Sequence, residues 1–362
     1  MLHIEKKSND PLMGRNHLTI VRWVLASLVL LGHSWLLTTG HEPFRIHQWT
    51  GSYMAVNGFF ILSGLLIAKS LHMRNDLKAY TVSRLLRIYP ALIVLLLAFV
   101  FLFSPLFAQS AGFSNILDGS NWRYMFRVLL LGDPEGAPGG VFSTNPEADF
   151  NGPLWTIRFE LMAYIMAAVA FSIGAIKSFK SSLAIFILMQ IAYIAIVFMG
   201  DSLVLPPSIK PLFRLSSAFL MGVVLWQWPA GRRPHVAIVL IFCALFAFFG
   251  ASLFGELIAN IALAAILLRV GLPKTSINAV VKIPDFSYGI YIWHYPIMQA
   301  IIFFGLAAEP VRLLLISTPL ILMVSGLSWY VIEKPALKLK RFAITPAKTE
   351  SKQANTLSNQ IT

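Results

Sequence analysis

The chain has 362 residues, of which 57% are apolar and only 12% charged. A soluble domain carries roughly twice that charged fraction, so a soluble globular protein is excluded. The net charge of +13 sits in short loops between apolar runs rather than on one face or tail, which argues against a nucleic-acid partner. A single cysteine, Cys243, excludes an intramolecular disulfide.

Ten apolar segments follow in order, at 18–38, 50–71, 87–108, 152–174, 182–200, 211–228, 234–250, 253–270, 284–306 and 311–332. Their lengths suit a bilayer, so the expected fold class is all-α: a polytopic membrane bundle of about ten transmembrane helices. The first segment follows basic residues, as in a signal peptide. Its length, the lack of a clear small-x-small site and the presence of Arg22 and His33 within it predict a retained helix instead. The loops 69–87, 177–180, 229–235, 269–283 and 333–362, with the N-terminal arm, hold 21 of the 29 lysines and arginines. The positive-inside rule therefore puts both termini in the cytoplasm. This divides the chain into a cytoplasmic arm over 1–17, a transmembrane domain over 18–335 and a polar, disordered cytoplasmic tail over 336–362. One outer loop, 109–151, is too long for a plain connector. It contains an amphipathic stretch at 122–131 and reads equally as a disordered loop or as a substrate-binding lid.

Six polar constellations interrupt the apolar segments. Arg22 and His33 are eleven positions apart, about three helical turns, so they leave one face of the first helix roughly 16 Å apart along its axis. Ionisable groups at such depth are costly and point to function, although a histidine can also be a packing residue and an arginine can snorkel. In the second helix Asn57 and Ser63 add polar groups beside Gly58 and Gly64, small residues that permit close helix approach. Arg84 and Arg87 share a face at the mouth of the third helix; topology alone would explain them, but paired guanidiniums also fit phosphates. Trp155, Glu160 and Tyr164 open the fourth helix, with Glu160 at a depth that matches His33. Pairing of Glu160 with His33 would answer both desolvation problems and is expected here. In the stretch beginning at Asp285, Tyr288, Tyr291 and His294 precede Pro296, which should kink the ninth helix beside His294. Glu333 ends the tenth helix, where it can act simply as a cap. No metal site, Gly-rich phosphate loop or Gly-x-Ser-x-Gly elbow is visible.

Arg22-x10-His33, Asn57-Gly-Phe-Phe-x-x-Ser-Gly64, Arg84-x-x-Arg87-Ile-x-Pro90, Leu154-Trp-Thr-x-x-x-Glu160, Ser287-Tyr-x-x-Tyr-x-x-His294-x-Pro296 and Glu333-Lys-Pro335 occur in one order over 18–335. Together they resemble the acyltransferase 3 family of membrane acyltransferases. The resemblance implies an O-acyltransferase of the bacterial inner (plasma) membrane that takes an acyl group, acetyl above others, from cytoplasmic acyl-CoA. The acceptor is a hydroxyl of a cell-envelope or exported glycan, or of a lipid-linked sugar. Acyl-CoA is then a co-substrate, with no bound cofactor and no metal. The resemblance makes His33 the catalytic histidine, with Arg22, Arg84 and Arg87 as the acyl-CoA contacts. In this scheme His33 is a general base or an acyl carrier, and Glu160 orients its ring. Asn57, Ser63, Trp155, Tyr164, Tyr288, Tyr291, His294 and Glu333 are further site candidates. A homo-oligomer and a polysaccharide-assembly complex both stay open as partners. The rival readings are a secondary transporter or flippase, for which buried charges are equally apt, and a scaffold of an envelope-polysaccharide complex.

Overall fold

A computed structural model describes residues 16–202, 204–228, 233–273, 277 and 282–340. Most of the arm and the tail beyond 340 lie outside the described residues; the tail, expected to be disordered from 336, begins instead inside the helix Lys334–Lys338. Each of the ten apolar segments is helical: α1 (Leu18–Thr39), α2 (Gly51–Arg74), α3 (Leu77–Ala98), then α5 (Trp155–Ser172), α6 (Phe179–Met199), α7 (Ile209–Gln227), α8 (Val236–Phe249), α9 (Gly255–Gly271), α10 (Ser287–Phe303) and α11 (Pro310–Leu327). Helix α4 (Gly119–Leu131) lies in the long connection. Among the described residues β structure is limited to one isolated bridge, Ile46 to Trp49. In lipid the backbone must satisfy its own hydrogen bonds, and helices do so within each segment.

Seven of these helices are long and apolar enough to cross a membrane: α1, α2, α3 with its continuation to Phe107, α5, α6, α7 and α11 with its continuation to Lys338. Helix α8 has 14 residues, and α9 and α10 have 17 each, so length and composition support seven spans where about ten were expected. Both α9 and α10 carry buried polar side chains and face protein more than lipid. By contrast α6 and α8 leave large apolar side chains uncovered, with Phe198 77% and Phe248 82% exposed. An apolar surface of this kind belongs against acyl chains.

Helix α3 begins ten residues before the apolar segment does, because the Asp76 side chain caps it by accepting from the Ala79 N–H at 3.0 Å. Arg84 and Arg87 therefore stand within the helix, not ahead of it. The closest helix pair is α2 against α7. A Cβ on Gly64 would lie 1.9 Å from the Phe219 carbonyl oxygen, and one on Gly222 would lie 2.0 Å from that of Ile61. Each glycine thus receives the other helix's backbone, the small-residue contact anticipated at Gly64.

The 109–151 segment is folded, which removes the disordered alternative. It holds α4 and is tied to α10 by side-chain hydrogen bonds. Asn145 Nδ2 donates to Gln299 Oε1 at 2.8 Å, and Gln299 Nε2 donates to the Glu147 and Asp149 carbonyls at 2.7 Å each. Partial burial, with Glu135 nearby, raises the Asp149 carboxyl above its ordinary value. Helix α10 runs on through Pro296, whose missing N–H leaves the Ile292 carbonyl without its usual partner. Asn151 Nδ2 donates to that carbonyl at 2.8 Å, so the long segment repairs the defect beside His294.

Gly222→Val should place a side chain inside the α2 backbone and cost well over the roughly 1–3 kcal/mol of ordinary overpacking. Detergent-solubilised protein should shift from a monodisperse peak to aggregate in size-exclusion chromatography. A monodisperse peak at parental yield would contradict the close contact.

Candidate active site

Two chambers lie along the face of α1 that carries Arg22 and His33. The first, of about 120 Å³, is lined by Arg22, Ser63, Arg84, Arg87, Glu160 and Tyr164 together with Tyr288 and Tyr291. The second, of about 480 Å³, is lined by His33, Glu42, Tyr53, Trp155, Lys210 and Arg214. Val56 and Tyr291 line both, so one side chain from α2 and one from α10 form the shared wall.

The group that organises the arginines of the first chamber is Asp285, just ahead of α10. Its Oδ2 accepts from Arg22 Nη1 at 2.6 Å and from Arg87 Nη2 at 2.8 Å, and its Oδ1 accepts from Ser287 Oγ at 2.6 Å. One carboxylate thus joins α1, α3 and the start of α10 across 263 and 198 positions of sequence. Arg84 differs from the other two. Its Nη2 donates to Ser83 Oγ at 3.2 Å, its guanidinium lies 5.7 Å from the Tyr164 ring centre, and no carboxylate among the described residues pairs with it. Glu160 faces this same chamber and accepts from the Tyr164 hydroxyl.

The expected Glu160–His33 pair is therefore corrected: His33 has another partner. His33 Nδ1 lies 2.8 Å from His294 Nε2, with the two rings within 1° of parallel. His294 Nδ1 lies 3.0 Å from the Ile290 carbonyl oxygen, which can only accept. The tautomers of the neutral pair follow from this network. His294 carries its proton on Nδ1 and offers a lone pair at Nε2. His33 donates its Nδ1–H to that lone pair, which leaves the lone pair of His33 on Nε2. Depth alone matched Glu160 to His33; the rotation of its helix turns Glu160 toward Tyr164, and His294 takes its place.

The remaining candidates divide. Ser63, Tyr164, Tyr288 and Tyr291 line the arginine chamber, and Trp155 the histidine chamber. Tyr288 donates to the Ile88 carbonyl at 3.0 Å, and Tyr291 donates to that of Pro153 at 3.0 Å. Asn57 is buried away from both chambers, where its Nδ2 donates to Glu256 Oε1 at 2.7 Å and Asn260 Oδ1 at 2.9 Å. Glu256 also accepts from the Tyr53 hydroxyl at 3.0 Å. Glu333 is buried in the continuation of α11 and accepts from Ser328 Oγ at 3.0 Å, off both chambers. The sequence reading gave no role to Asp285, Glu256, Asn260, Lys210 or Arg214. Glu256-x-x-x-Asn260, a buried acid with an amide one turn on, was the signal available for that cluster. Among the described residues no three metal-ligating side chains come together.

The chain is thus a helical membrane protein with a polar interior built around a histidine pair and a three-arginine chamber. A family model described as an acyltransferase domain, that of the acyltransferase 3 family, matches residues 15–332, and the chain belongs to that family. It is 25% identical over 327 residues to an "O-acetyl transferase" of Shigella phage Sf6, covering 86% of this chain and 93% of that protein. It is 24% identical to "Nodulation protein 10" of Rhizobium leguminosarum bv. viciae, covering 92% and 96% respectively. No solved structure matches the chain.

Asp285→Asn should leave two largely buried guanidiniums short of a counter-charge, a loss of about 3–5 kcal/mol for a buried pair. Thermal unfolding in detergent should begin at least about 5 °C lower. An unchanged midpoint would show that the bridge adds nothing to stability.

Proposed function

We propose that this acyltransferase moves an acyl group, acetyl above others, from acyl-CoA to a hydroxyl of a cell-envelope or exported glycan or lipid-linked sugar. The observation that carries the reading is the His33–His294 hydrogen bond, which leaves His33 Nε2 as a base beside the histidine chamber. The donor belongs at the other end. CoA is a polyanion that cannot enter lipid, and the arginine chamber offers phosphate-matching guanidiniums. Arg84, which has no carboxylate partner among the described residues, meets a phosphate first. Arg22 and Arg87 can share it only as their hold on Asp285 loosens. Glu160 and Tyr164 line the donor's path and suit the amides of its pantetheine arm.

In this reading transfer is direct: the acceptor enters by the histidine chamber, and the thioester reaches His33 from the arginine chamber past Val56 and Tyr291, the side chains that line both. His33 Nε2 takes the proton of the acceptor hydroxyl as its oxygen attacks the thioester carbonyl. The imidazolium so formed is stabilised through Nδ1–H by His294. The tetrahedral intermediate collapses with cleavage of the carbon–sulfur bond, and the CoA thiolate recovers the proton from His33. By the charge of its loops the arginine end faces the cytoplasm of the inner membrane, and the histidine end faces outward.

His33→Ala in purified protein should lower acetyl transfer from labelled acetyl-CoA by at least about a hundredfold. His294→Ala should lower kcat by a similar factor. His294→Gln, whose amide oxygen can accept from His33 Nδ1–H, should recover to within about tenfold. A fully active His33→Ala protein at normal yield would remove the assignment. Separately, Arg84→Gln should weaken acetyl-CoA binding about tenfold, as expected for one charge-assisted phosphate contact. Equal binding by parent and variant would move the donor elsewhere.

A further inference from the structure

The histidine chamber carries two cations that the chemistry above does not use. Lys210 and Arg214 stand one turn apart in the first two turns of α7, and both line the chamber. Arg214 is only 6% exposed, with its guanidinium 3.8 Å from the centre of the Tyr53 ring and 5.8 Å from that of Trp155. Its Nε is buried and has no hydrogen-bond partner. Among the described residues no carboxylate forms an ion pair with either cation. Glu256 lies behind Tyr53 and offsets part of the Arg214 charge, but its oxygens already accept from Tyr53, Asn57 and Asn260. Across the chamber, Glu42 accepts from the Ser52 N–H at 3.1 Å, on the wall next to His33.

A buried guanidinium with an unmet donor is costly unless an anion completes it. Here the opening beside it leads to the base, so the anion would arrive with the acceptor. Trp155, which also lines the chamber, supplies a flat, amphipathic side chain of the kind that takes a sugar ring. We propose that the chamber selects an anionic sugar. In this arrangement a carboxylate or phosphate oxygen of the acceptor rests on Lys210 and Arg214, while Glu42 accepts from neighbouring hydroxyls and one hydroxyl lies at His33 Nε2. The proposal rests on the acyl-transfer reading and names the acceptor class for it. The oxyanion has two sources, a uronic acid within the glycan or the phosphate that links a sugar to its lipid carrier.

Equilibrium binding to the purified full chain decides the matter with three probes: a hexuronic-acid oligosaccharide, its carboxyl-reduced neutral counterpart and a neutral sugar diphosphate. The parent should bind one of the two anionic probes at least tenfold more tightly than the neutral one, and which of them does so identifies the source. Lys210→Gln should erase that preference and Lys210→Arg should keep it. Equal binding of charged and neutral probes, or a preference that survives Lys210→Gln, would overturn the anion site. The same probes are then offered with acetyl-CoA. Acylation of the neutral sugar at the same kcat/KM as the charged ones would sink the anion site and leave acyl transfer standing. Tight, Lys210-dependent binding of an anionic sugar that is never acylated would do the reverse.

Discussion

A polar group removed from water must find a partner inside the bundle, and this constraint shapes everything of interest in the structure. Asp285 answers for Arg22 and Arg87 at one end of α1. His294 answers for His33 at the other, and the Ile290 carbonyl answers in turn for His294. Even the carbonyl freed by Pro296 is met, by Asn151. These partners come from distant parts of the chain, so satisfying the buried groups also fixes how α1, α3 and α10 stand against one another. The glycine contact between α2 and α7 sets the spacing of that pair through sterics.

The same arrangement orders the chemistry. A hydrogen bond that holds an imidazole also decides which of its nitrogens is free to act, and here the free one is Nε2. A carboxylate that neutralises two arginines also withholds them, so Arg84 is the cation that the proposal gives to an anionic donor. The two chambers meet at Val56 and Tyr291, so in the proposed reaction each substrate has a chamber of its own. A transporter would need one site exposed alternately to both sides. Two chambers with different linings on one helix face fit a transferase better, and so does membership of an acyltransferase family.

Much of this was legible in the sequence. Apolar length marked each helix, and the eleven-residue spacing put Arg22 and His33 on one face. Gly64 could be read as a close contact because few other roles exist for a glycine inside an apolar helix. What could not be read was rotation about each helix axis. Glu160 stood at the depth of His33, and only packing shows that it turns toward Tyr164 while His294 turns toward His33. Asp285 lay in plain view, yet its two arginines are about 200 positions away or more, and no local pattern connects them. The amphipathic stretch at 122–131 did become α4, but what ties 109–151 to the bundle was not legible, for a related reason. Its polar residues serve α10, which follows more than 130 residues later.

The central claim is that an acyl group passes from the arginine chamber to an acceptor in the histidine chamber. Purified protein reconstituted into sealed vesicles, with labelled acetyl-CoA inside and acceptor glycan outside, tests it most directly. In the molecules whose arginine end faces inward, label should appear covalently on the outer glycan without any ion gradient, while CoA stays within. Intact acetyl-CoA or acceptor crossing the membrane with no acetyl ester formed would contradict the account.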